Sequence, residues 1–405
     1  MILFVMAGYG DYNQSAAQSK NVITVDVTAN YPRKELILQD FLDVEYIPLE
    51  SSDEFVTSCY VQAVGKNILL VRNINQAGAG DIFIFDRNGK GLRKINRRGQ
   101  SNEEYTNILG MITLDEDNGE MFVNSGLLRK VLVYDLFGNF KRSFSHKEGE
   151  GQFKEIYYDP IYIFDRDHLI CQDRFSGRTY YNDNKSNLDV ESRNIFWIIS
   201  RQDGSVTREI KIPFKKKIYQ GVFHAGSRGG LVANLGLIPS RDGWILAEPS
   251  ADTIYSYSPS HSMTPFIVRT PSVQSMNPEV FLFPGVITGR YCFMQTVKKV
   301  YDKTESRGRM PRTDLAYDRQ ERKIFEYVVY NNDFTNKRRI KNLVEAILEL
   351  TVVNNEEIAF MEKIEAFELV EAYEKGQLKG RLKEIAAQLN EDSNPVIMLA
   401  KYRKQ

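Results

Sequence analysis

The strongest constraint on the fold is a strand–turn–strand pattern that occurs twice at an offset of 49 residues. Its first copy has an apolar strand at 82–85, a turn at 86–89 and a basic-apolar strand at 92–95, and its second copy spans 131–144. An apolar strand, a tight turn rich in Asp, Asn and Gly, and a second strand together predict a β-hairpin. Repeats with a period of roughly 20–50 residues are typical of solenoids and propellers.

Weaker copies of the hairpin continue along the chain. Their apolar strands begin at Phe196, Thr253, Ile324 and Val396. In the fifth hairpin, the turn is placed at 331–333 and the return strand at 337–340. A second pattern, a turn leading into a short apolar strand, precedes every hairpin, and its strands begin at Ile68, Met121, Leu169, Trp244, Tyr291 and Ile358. The two patterns alternate and each occurs six times, which predicts an all-β fold, a six-bladed β-propeller.

The sixth unit lacks a fourth strand, and the N-terminal region offers a candidate for it. Residues 44–49, within a stretch of about 42–50, have the composition of a strand. A strand from this region that pairs with the last blade would close the ring and remove a free sheet edge. We therefore expect a single propeller domain over residues 22–405, preceded at 1–21 by a signal remnant or a flexible tether.

One segment departs from the strand pattern, at about 362–390. Apolar residues between Ile364 and Leu389 recur at helical spacing, and Gly376 and Gly380 indicate a break between two helices. Because the segment lies between the second and third strands of the sixth blade, it is expected to be an insertion that packs on the outside of the propeller.

Charge and cysteine usage exclude several classes of function. The chain has 53 Lys and Arg residues against 53 Asp and Glu residues, so it lacks the broad basic surface that nucleic-acid binding requires. The three cysteines, Cys59, Cys171 and Cys292, are too far apart in sequence for a CxxC metal or redox motif. Cys171 and Cys292 lie in strand-like runs and are expected to be buried as small apolar side chains. No nucleic-acid partner is expected.

The first residues of the chain suggest export but lack parts of a complete signal. Residues 1–7 are apolar, too few to span a bilayer, and similar to the end of a secretory hydrophobic region without its basic start. Tyr9 stands where a lipoprotein would carry its lipid-bearing cysteine. We expect an extracytoplasmic protein of the periplasm or cell surface, with membrane tethering left open, and an ordinary cytoplasmic N-terminus as the alternative.

Three stretches resemble a known family, the six-bladed β-propellers that are abundant in anaerobic gut bacteria. They are 81–100 together with 103–105, the N-terminal strand 42–50, and the C-terminal run 365–398. The first two blades look like NHL repeats. The resemblance implies a protein that is typically exported, often lipid-anchored and mostly without an assigned activity. It implies no catalytic residues.

The lengths of the connections indicate which side of the propeller binds a ligand. Turns between first and second strands and between third and fourth strands share one face and are short, whereas the opposite face carries long connections, where binding residues usually lie. The candidates around the channel mouth on that face are Arg72, Asn73, Arg98, Gln100, Glu104, Tyr105, Asn124, Arg174, His224, Arg228, Glu248 and Gln295. A set of Arg, Tyr, Asn and Glu suits a polar ligand such as a glycan or a peptide.

Two alternatives to a binding protein stay open. A metal-dependent, lactonase-like hydrolase or lyase would use Asn73, Asn124 and Glu248 as hard oxygen ligands, with a divalent cation such as Ca²⁺ in the channel. A structural scaffold would show an exposed apolar patch on the helical insertion. The acidic run 115–120 resembles a calcium loop but is explained more simply as a hairpin turn, and no nucleophile or phosphate-binding motif occurs. We therefore expect a non-enzymatic protein without a cofactor.

Overall fold

The fold is that of a six-bladed β-propeller, seen in a computed structural model. The structure describes residues 22–73, 80–108, 110–126, 128–147, 156–173, 195–224, 227–231, 234–301, 310–340, 343–344 and 357–403. Strands are numbered β1 to β27 in chain order, and six of their sheets form the ring. The predicted fold class is therefore confirmed.

Blades 1 and 2 are antiparallel sheets of four strands, ordered outward from the channel. Blade 1 consists of β4 (Tyr60–Val64), β5 (Ile68–Arg72), β6 (Asp81–Asp86) and β7 (Gly91–Asn96), and blade 2 of β8 (Ile112–Asp115), β9 (Glu120–Ser125), β10 (Lys130–Asp135) and β11 (Phe140–Ser145). The repeated turn has the chemistry that its sequence predicts. Asp86 Oδ1 accepts the amides of Asn88 (2.8 Å) and Lys90 (2.9 Å), and Gly89 has a φ of +86°, which glycine adopts readily.

Blades 3 and 4 continue the pattern with four strands each. Blade 3 consists of β12 (Tyr158–Ile163), β13 (His168–Asp173), β14 (Phe196–Ser200) and β15 (Val206–Ile210), and blade 4 of β18 (Leu237–Ser240), β19 (Gly243–Leu246), β20 (Thr253–Tyr257) and β21 (Met263–Thr270). The glycine-rich run 226–230 was expected to be a flexible loop, and this was wrong for its described part. An extra hairpin of β16 (Gly221–His224) and β17 (Ser227–Leu231) lies there, between the two blades.

The structure of blade 5 differs from one strand assignment that was made from the sequence. Its strands are β22 (Val280–Ile287), β23 (Tyr291–Lys298), β24 (Arg312–Asp318) and β25 (Lys323–Tyr330). The hairpin expected at 324–340 is therefore one strand out of place, because β25 is the fourth strand and pairs back with β24. β24 lies within residues 298–323, which the sequence pattern predicts to be one of the long connections of the loop face. β24 begins with three polar residues, Arg312, Thr313 and Asp314, and its apolar and polar residues do not alternate, so its strand signal is weak.

Blade 6 joins the two ends of the described chain. Its strands are β26 (Ile358–Ile364), β27 (Val396–Tyr402) and β3 (Leu42–Pro48), and β3 pairs antiparallel with β27 from Leu42↔Tyr402 to Pro48↔Val396. The stretch expected to close the last blade thus does so. The turn at 354–355, which was expected to precede β26, lies outside the described residues.

The helical insertion lies between β26 and β27, as the sequence predicts, although its first residues belong to β26. It consists of α1 (Ala366–Glu374) and α2 (Gly380–Ala386), which Gly376 separates at a φ of +64°. Leu369 and Leu382 pack into the core shared by blades 5 and 6. The large apolar side chains that α1 exposes are Phe367 (54%) and Tyr373 (38%). Since six helical positions turn by about 240°, these two do not form one patch.

A belt of two further strands runs outside the ring, and the sequence reasoning missed it. We call β1 (Ile23–Asp26) and β2 (Arg33–Ile37), with their connection into β3, the N-terminal belt. β1 adds a parallel fifth strand to β21 of blade 4, and β2 adds one to β25 of blade 5. A 3₁₀ turn at Leu38–Asp40 then leads into β3. The belt therefore covers the outer edges of two consecutive blades.

The apolar cores lie between neighbouring blades, which explains why the ring holds together. Each of six clusters combines side chains of two adjacent blades, for example Phe122 of blade 2 with Trp197 of blade 3. The cluster of blades 6 and 1 contains Ile47 and Ile397 beside Phe83. Burial of apolar area at every contact around the ring is the main stabilising force.

Two faces of the ring can be distinguished from their turns. On the turn face, the turn after the first strand lies beside the turn after the third strand, as shown by bonds from Arg87 N to Asn67 O (3.1 Å) and from Arg201 N to Asp167 O (3.1 Å). The opposite, loop face carries the connections between second and third strands and the crossings between blades.

Candidate functional site

A cavity of about 550 Å³ lies among the innermost strands of blades 1 to 4. We call it the channel cavity. Its wall comes from β4, β8 and β12, and its rim from the turn between β18 and β19 together with Pro259. The wall residues sit towards the ends of their strands, where the first turns begin. The channel cavity therefore lies nearer the turn face, not the loop face on which the sequence placed the ligand.

Two of the polar side chains in the wall, Gln62 and Thr113, are hydrogen-bonded to the backbone. Gln62 Oε1 accepts the amide of Ile112 at 3.0 Å, and Thr113 Oγ1 donates to the carbonyl of Ile161 at 2.6 Å. Both bonds join neighbouring blades. Because these groups are satisfied within the fold, the wall offers a ligand mainly apolar surface, such as Leu114 and Ile163.

An aromatic stack supports the rim at blades 3 and 4. The ring of Trp244 stacks on Phe164 with centroids 4.8 Å apart, and Phe164 stacks in turn on His261 at 5.1 Å. The Tyr257 hydroxyl lies 2.9 Å from His261 Nδ1. Burial, with Arg208 nearby, lowers the pKa of His261, so its ring is neutral near pH 7. Trp244 is thereby held in one orientation at the cavity.

Charge at the channel cavity is confined to one turn. Arg241 and Asp242, between β18 and β19, are exposed and are the charged residues among those that line it. Neither forms an ion pair within the part of the chain that the structure describes. One cationic and one anionic group are thus exposed at the rim of a mainly apolar cavity.

Several residues predicted for the mouth instead connect neighbouring blades. Arg72 donates from Nη1 to the carbonyl of Ile108, at the entrance to blade 2. Asn124 donates from Nδ2 to the carbonyl of Tyr158 in blade 3 at 2.5 Å, and its Oδ1 lies 3.1 Å from Nε2 of His146. Burial lowers the pKa of His146 to about 3, so the imidazole is neutral at physiological pH and can donate to Asn124. Arg72 and Asn124 therefore hold blades together.

Three further residues predicted for the channel mouth, Asn73, Glu104 and Tyr105, stabilise loops. Asn73 Oδ1 accepts from the amide of Ser58 at 2.8 Å and from Thr57 Oγ1 at 2.9 Å. Glu104 accepts the amide of Ser101 at 3.0 Å, which lowers the pKa of its carboxyl.

Tyr105 is fully buried, and burial raises the pKa of its hydroxyl to about 12. This hydroxyl donates to the carbonyl of Gly80 at 2.6 Å and accepts the amide of Arg97 at 2.9 Å. Tyr105 therefore fixes the crossing between blades 1 and 2.

Glu248 and Gln295 are also engaged within the fold. Glu248 pairs with Lys217 at 2.6 Å, and both side chains are only 1% exposed. Gln295 accepts from Asn234 Nδ2 at 3.2 Å and donates to Asp314 Oδ1 at 2.8 Å. The structure therefore gives Glu248 and Gln295 structural partners and does not bring them together with Asn73 or Asn124.

Four of the five remaining predicted residues lie within the described part of the chain. Arg98 and Gln100 are exposed on the crossing between blades 1 and 2, at the loop face. His224 and Arg228 lie in β16 and β17, and Arg174 lies outside the described residues. Arg98 and Gln100 are thus the predicted residues whose side chains are seen to face solvent.

The oxygen ligands suggested for a metal ion do not converge in the described residues. Asn73, Asn124 and Glu248 belong to different blades, and each is hydrogen-bonded as given above. Within the same residues, no group of three or more His, Cys, Asp or Glu side chains could hold a metal ion. The acidic run 115–120 is the hairpin turn between β8 and β9, as expected. The three cysteines are free and buried, and burial raises the pKa of Cys59 to about 12.

An ion cluster links blades 2 and 3 on the turn face. Arg201 Nη2 lies 2.6 Å from Asp115 Oδ2 and 2.7 Å from Glu120 Oε2, and Arg142 forms a two-bond pair with the same Glu120 at 2.8 and 2.9 Å. Hydrogen bonds from Arg142 first, then from Lys141 and Arg201, lower the pKa of Glu120 to about 2. Asp115 and Glu120, at the two ends of the run that resembles a calcium loop, are partners of arginine.

We expect Glu120→Gln to destabilise the protein by about 2 kcal/mol at neutral pH, because charge-assisted hydrogen bonds are lost. The pKa of Glu120 in the folded state lies below its ordinary value of 4.5, so the unfolded chain binds the proton first. The stabilisation is therefore present above about pH 4.5 and is lost as the pH falls towards about 2. Urea midpoints measured for both proteins over this pH range should converge at the acidic end.

Exposed Glu384, paired with Arg381 on α2, supplies the matched control for this pH series. Glu384→Gln should leave the midpoint almost unchanged at every pH. A difference between the Glu120→Gln variant and the native protein that stays constant with pH would show that Glu120 stabilises by packing alone.

The sequence reasoning missed Gln62, Trp244, Arg241 and Asp242 as residues of a cavity. It did identify 242–243 as a turn leading into a strand. The period of two in strands decides which side chains face the channel, and this depends on register, which a turn alone does not specify.

Comparison with known proteins identifies relatives of unassigned function. The family described as "Domain of unknown function (DUF4934)" matches residues 21–270. No curated protein matches the sequence. Among the described residues, no helix is long and apolar enough to cross a membrane.

Two solved structures are similar to this chain at low sequence identity. One is a Bacteroides fragilis protein provisionally described as exported, with 13% identity and a TM-score of 0.54, covering 95% of this chain and 99% of that one. Another is a member of the DUF4221 family from Bacteroides vulgatus, with 12% identity and a TM-score of 0.45, covering 91% and 99% of the two chains. At such identities the first match supports the architecture alone.

Proposed function

The chain belongs to the DUF4934 family, and we propose that it is a non-enzymatic, extracytoplasmic binding propeller that takes a polar ligand, a glycan or a peptide, into its channel. The channel cavity is the observation that carries this proposal. Its volume of about 550 Å³ falls in the range of roughly 300–1,000 Å³ usual for ligand pockets. It also combines a mainly apolar wall with a few polar groups at one end, which is the usual composition of such pockets.

The proposed location has two supports. The first seven residues are apolar, as in the end of a secretory signal. The Bacteroides fragilis protein of similar fold is provisionally described as exported. The resemblance of blades 1 and 2 to NHL repeats and a tether to the membrane belong to the same proposal.

A screen of thermal unfolding against glycans, short peptides and divalent cations tests the function. A ligand that binds only the folded state raises the midpoint, by an amount set by its concentration relative to Kd. Ala63, in the wall on β4, is the position at which to block the site. We expect Ala63→Phe to fill the cavity and abolish the shift while the unliganded protein keeps its midpoint.

A control variant on the loop face, compared with Ala63→Phe in the channel cavity, shows on which face the ligand binds. The double variant Arg98→Ala, Gln100→Ala alters the exposed residues that the sequence predicted for the loop face. Binding that survives Ala63→Phe but is lost in this double variant would move the site to the loop face and contradict the channel proposal. No shift with any ligand class would contradict the binding function itself.

The other two functions gain no support from the described residues. A hydrolase or lyase would need several carboxylate or amide oxygens that converge on a cation, and the candidates Asn73, Asn124 and Glu248 are bonded elsewhere. A scaffold would need one apolar patch on the insertion, and Phe367 and Tyr373 point in different directions around α1. A rise in the thermal midpoint with a divalent cation alone would support the hydrolase or lyase function instead.

A further inference from the structure

The channel cavity distinguishes between the two ligand classes of the proposed function. A glycan has hydroxyl groups around its whole surface, and a buried hydroxyl without a partner costs free energy. Most residues that line the wall are apolar, and two of its polar side chains, Gln62 and Thr113, already bond to the backbone of the next blade. An apolar body, in contrast, is stabilised by burial against Leu114, Ile163 and Trp244.

The rim adds a requirement at the other end of the ligand. Arg241 offers a planar donor group that suits a carboxylate, and Asp242 offers an acceptor that suits an ammonium group. Both lie on the turn at the cavity opening. A ligand complementary to this rim carries both charges, or a main chain with both donors and acceptors, beside its apolar part.

We propose that the channel cavity binds a short apolar peptide with free termini, whose side chains fill the cavity and whose charged terminal groups lie at Arg241 and Asp242. This rests on the proposed binding function and selects the peptide from its two ligand classes. The peptide is bound without a chemical reaction. Apolar burial supplies most of the affinity, and the exposed charges at the rim orient the peptide and select its terminal groups.

Isothermal titration calorimetry with three probes tests this assignment on the full chain. The probes are trileucine, N-acetyl-trileucine amide, which has the same apolar side chains without terminal charges, and maltotriose. We expect trileucine to bind with a negative heat-capacity change, as apolar burial requires. Loss of the terminal charges should weaken binding by about three- to tenfold, the scale of exposed ion pairs.

Protein variants complete a double cycle. In Arg241→Gln, Asp242→Asn, trileucine should lose about the same three- to tenfold in affinity, and removal of its terminal charges should cause little further loss. Arg381→Gln, an exposed arginine on α2 with a 69% exposed side chain, is the matched control and should bind trileucine normally. Because Arg241 and Asp242 are exposed on a turn, the double variant should fold like the native protein.

The outcomes separate this inference from the proposed function. Binding of maltotriose that Ala63→Phe blocks, without binding of trileucine, would overturn the peptide assignment and leave the channel proposal standing. Equal affinity for the free and capped peptides would overturn the role of the rim. Failure of trileucine to bind at millimolar concentration would overturn the inference as a whole.

Discussion

Lys217→Met is expected to destabilise the protein by about 3–5 kcal/mol, the scale measured when a buried ion pair loses one partner. Lys217 Nζ lies 2.6 Å from Glu248 Oε2, and each side chain is 1% exposed. Without the ammonium group, the carboxylate of Glu248 would be buried, and the amide of Ser250, at 3.0 Å, would be its remaining donor among the residues that the structure describes. The measurement is the urea or thermal midpoint of unfolding at neutral pH.

Two controls separate the charge effect from packing. The double variant Lys217→Met, Glu248→Leu removes both charges and should recover much of the lost stability, because well-packed apolar residues can replace a buried pair. Arg381→Met breaks an exposed pair of similar length with Glu384, 2.8 Å, and should change stability by less than about 1 kcal/mol. Equal destabilisation in the single and double variants would mean that the Lys217 side chain acts by filling space.

A chain that begins at residue 51 is expected to lose cooperative folding at room temperature. It lacks β3, and with it the buried side chains of Leu42, Tyr46 and Ile47. Burial of each such side chain contributes about 1.5–3 kcal/mol. Their sum approaches the whole stability of an ordinary domain, about 5–15 kcal/mol. The missing strand also exposes the edge of β27, which invites aggregation.

A synthetic peptide of residues 40–50 should restore folding when added in excess, seen as a recovered thermal transition and a monomer in gel filtration. The same peptide with Ile47→Asp places a charge opposite Ile397 and should not. A chain that begins at residue 41 keeps β3 but lacks β1 and β2, and should fold with a lower midpoint. An unchanged midpoint for the chain that begins at residue 51 would contradict closure by β3.

The sequence predicted the parts of the fold that local chemistry determines. The turns at Asp86–Gly89 and Asp135–Gly138 carry their own signal, because an aspartate that accepts nearby amides and a glycine at positive φ specify the turn within a few residues. The break at Gly376 between the two helices is equally local. The number of blades followed from counting such turns.

Elements that depend on distant partners were missed or displaced. β2 (Arg33–Ile37) is largely polar and exposed, and it is a strand only because β25 offers it a parallel edge. The sequence pattern places β24 in a connection, because its three leading polar residues and the lack of alternation give a weak strand signal. In both cases tertiary pairing overrides local propensity, which one-dimensional pattern analysis does not detect.

The candidate site likewise separates into features that local sequence predicts and features that depend on distant partners. The residues chosen at strand ends, such as Arg72 and Asn124, do lie near the ends of second strands, but their side chains bridge to the next blade. Polar residues at these positions satisfy backbone groups that blade packing would otherwise leave unpaired. Composition alone does not tell such a bridge from a ligand contact.

The N-terminal belt determines the order in which this protein can mature. Ile23 pairs with Ile267, Arg33 with Glu326 and, in β3, Leu42 with Tyr402, so both strands of the belt and β3 must wait for partners made much later in synthesis. Contacts so distant in sequence slow folding, because the closure entropy is lost before the contacts form. The strands β1, β2 and β3 are therefore docked only after the strands of blades 4, 5 and 6 with which they pair, and the outer edges of these three blades stay unpaired until then.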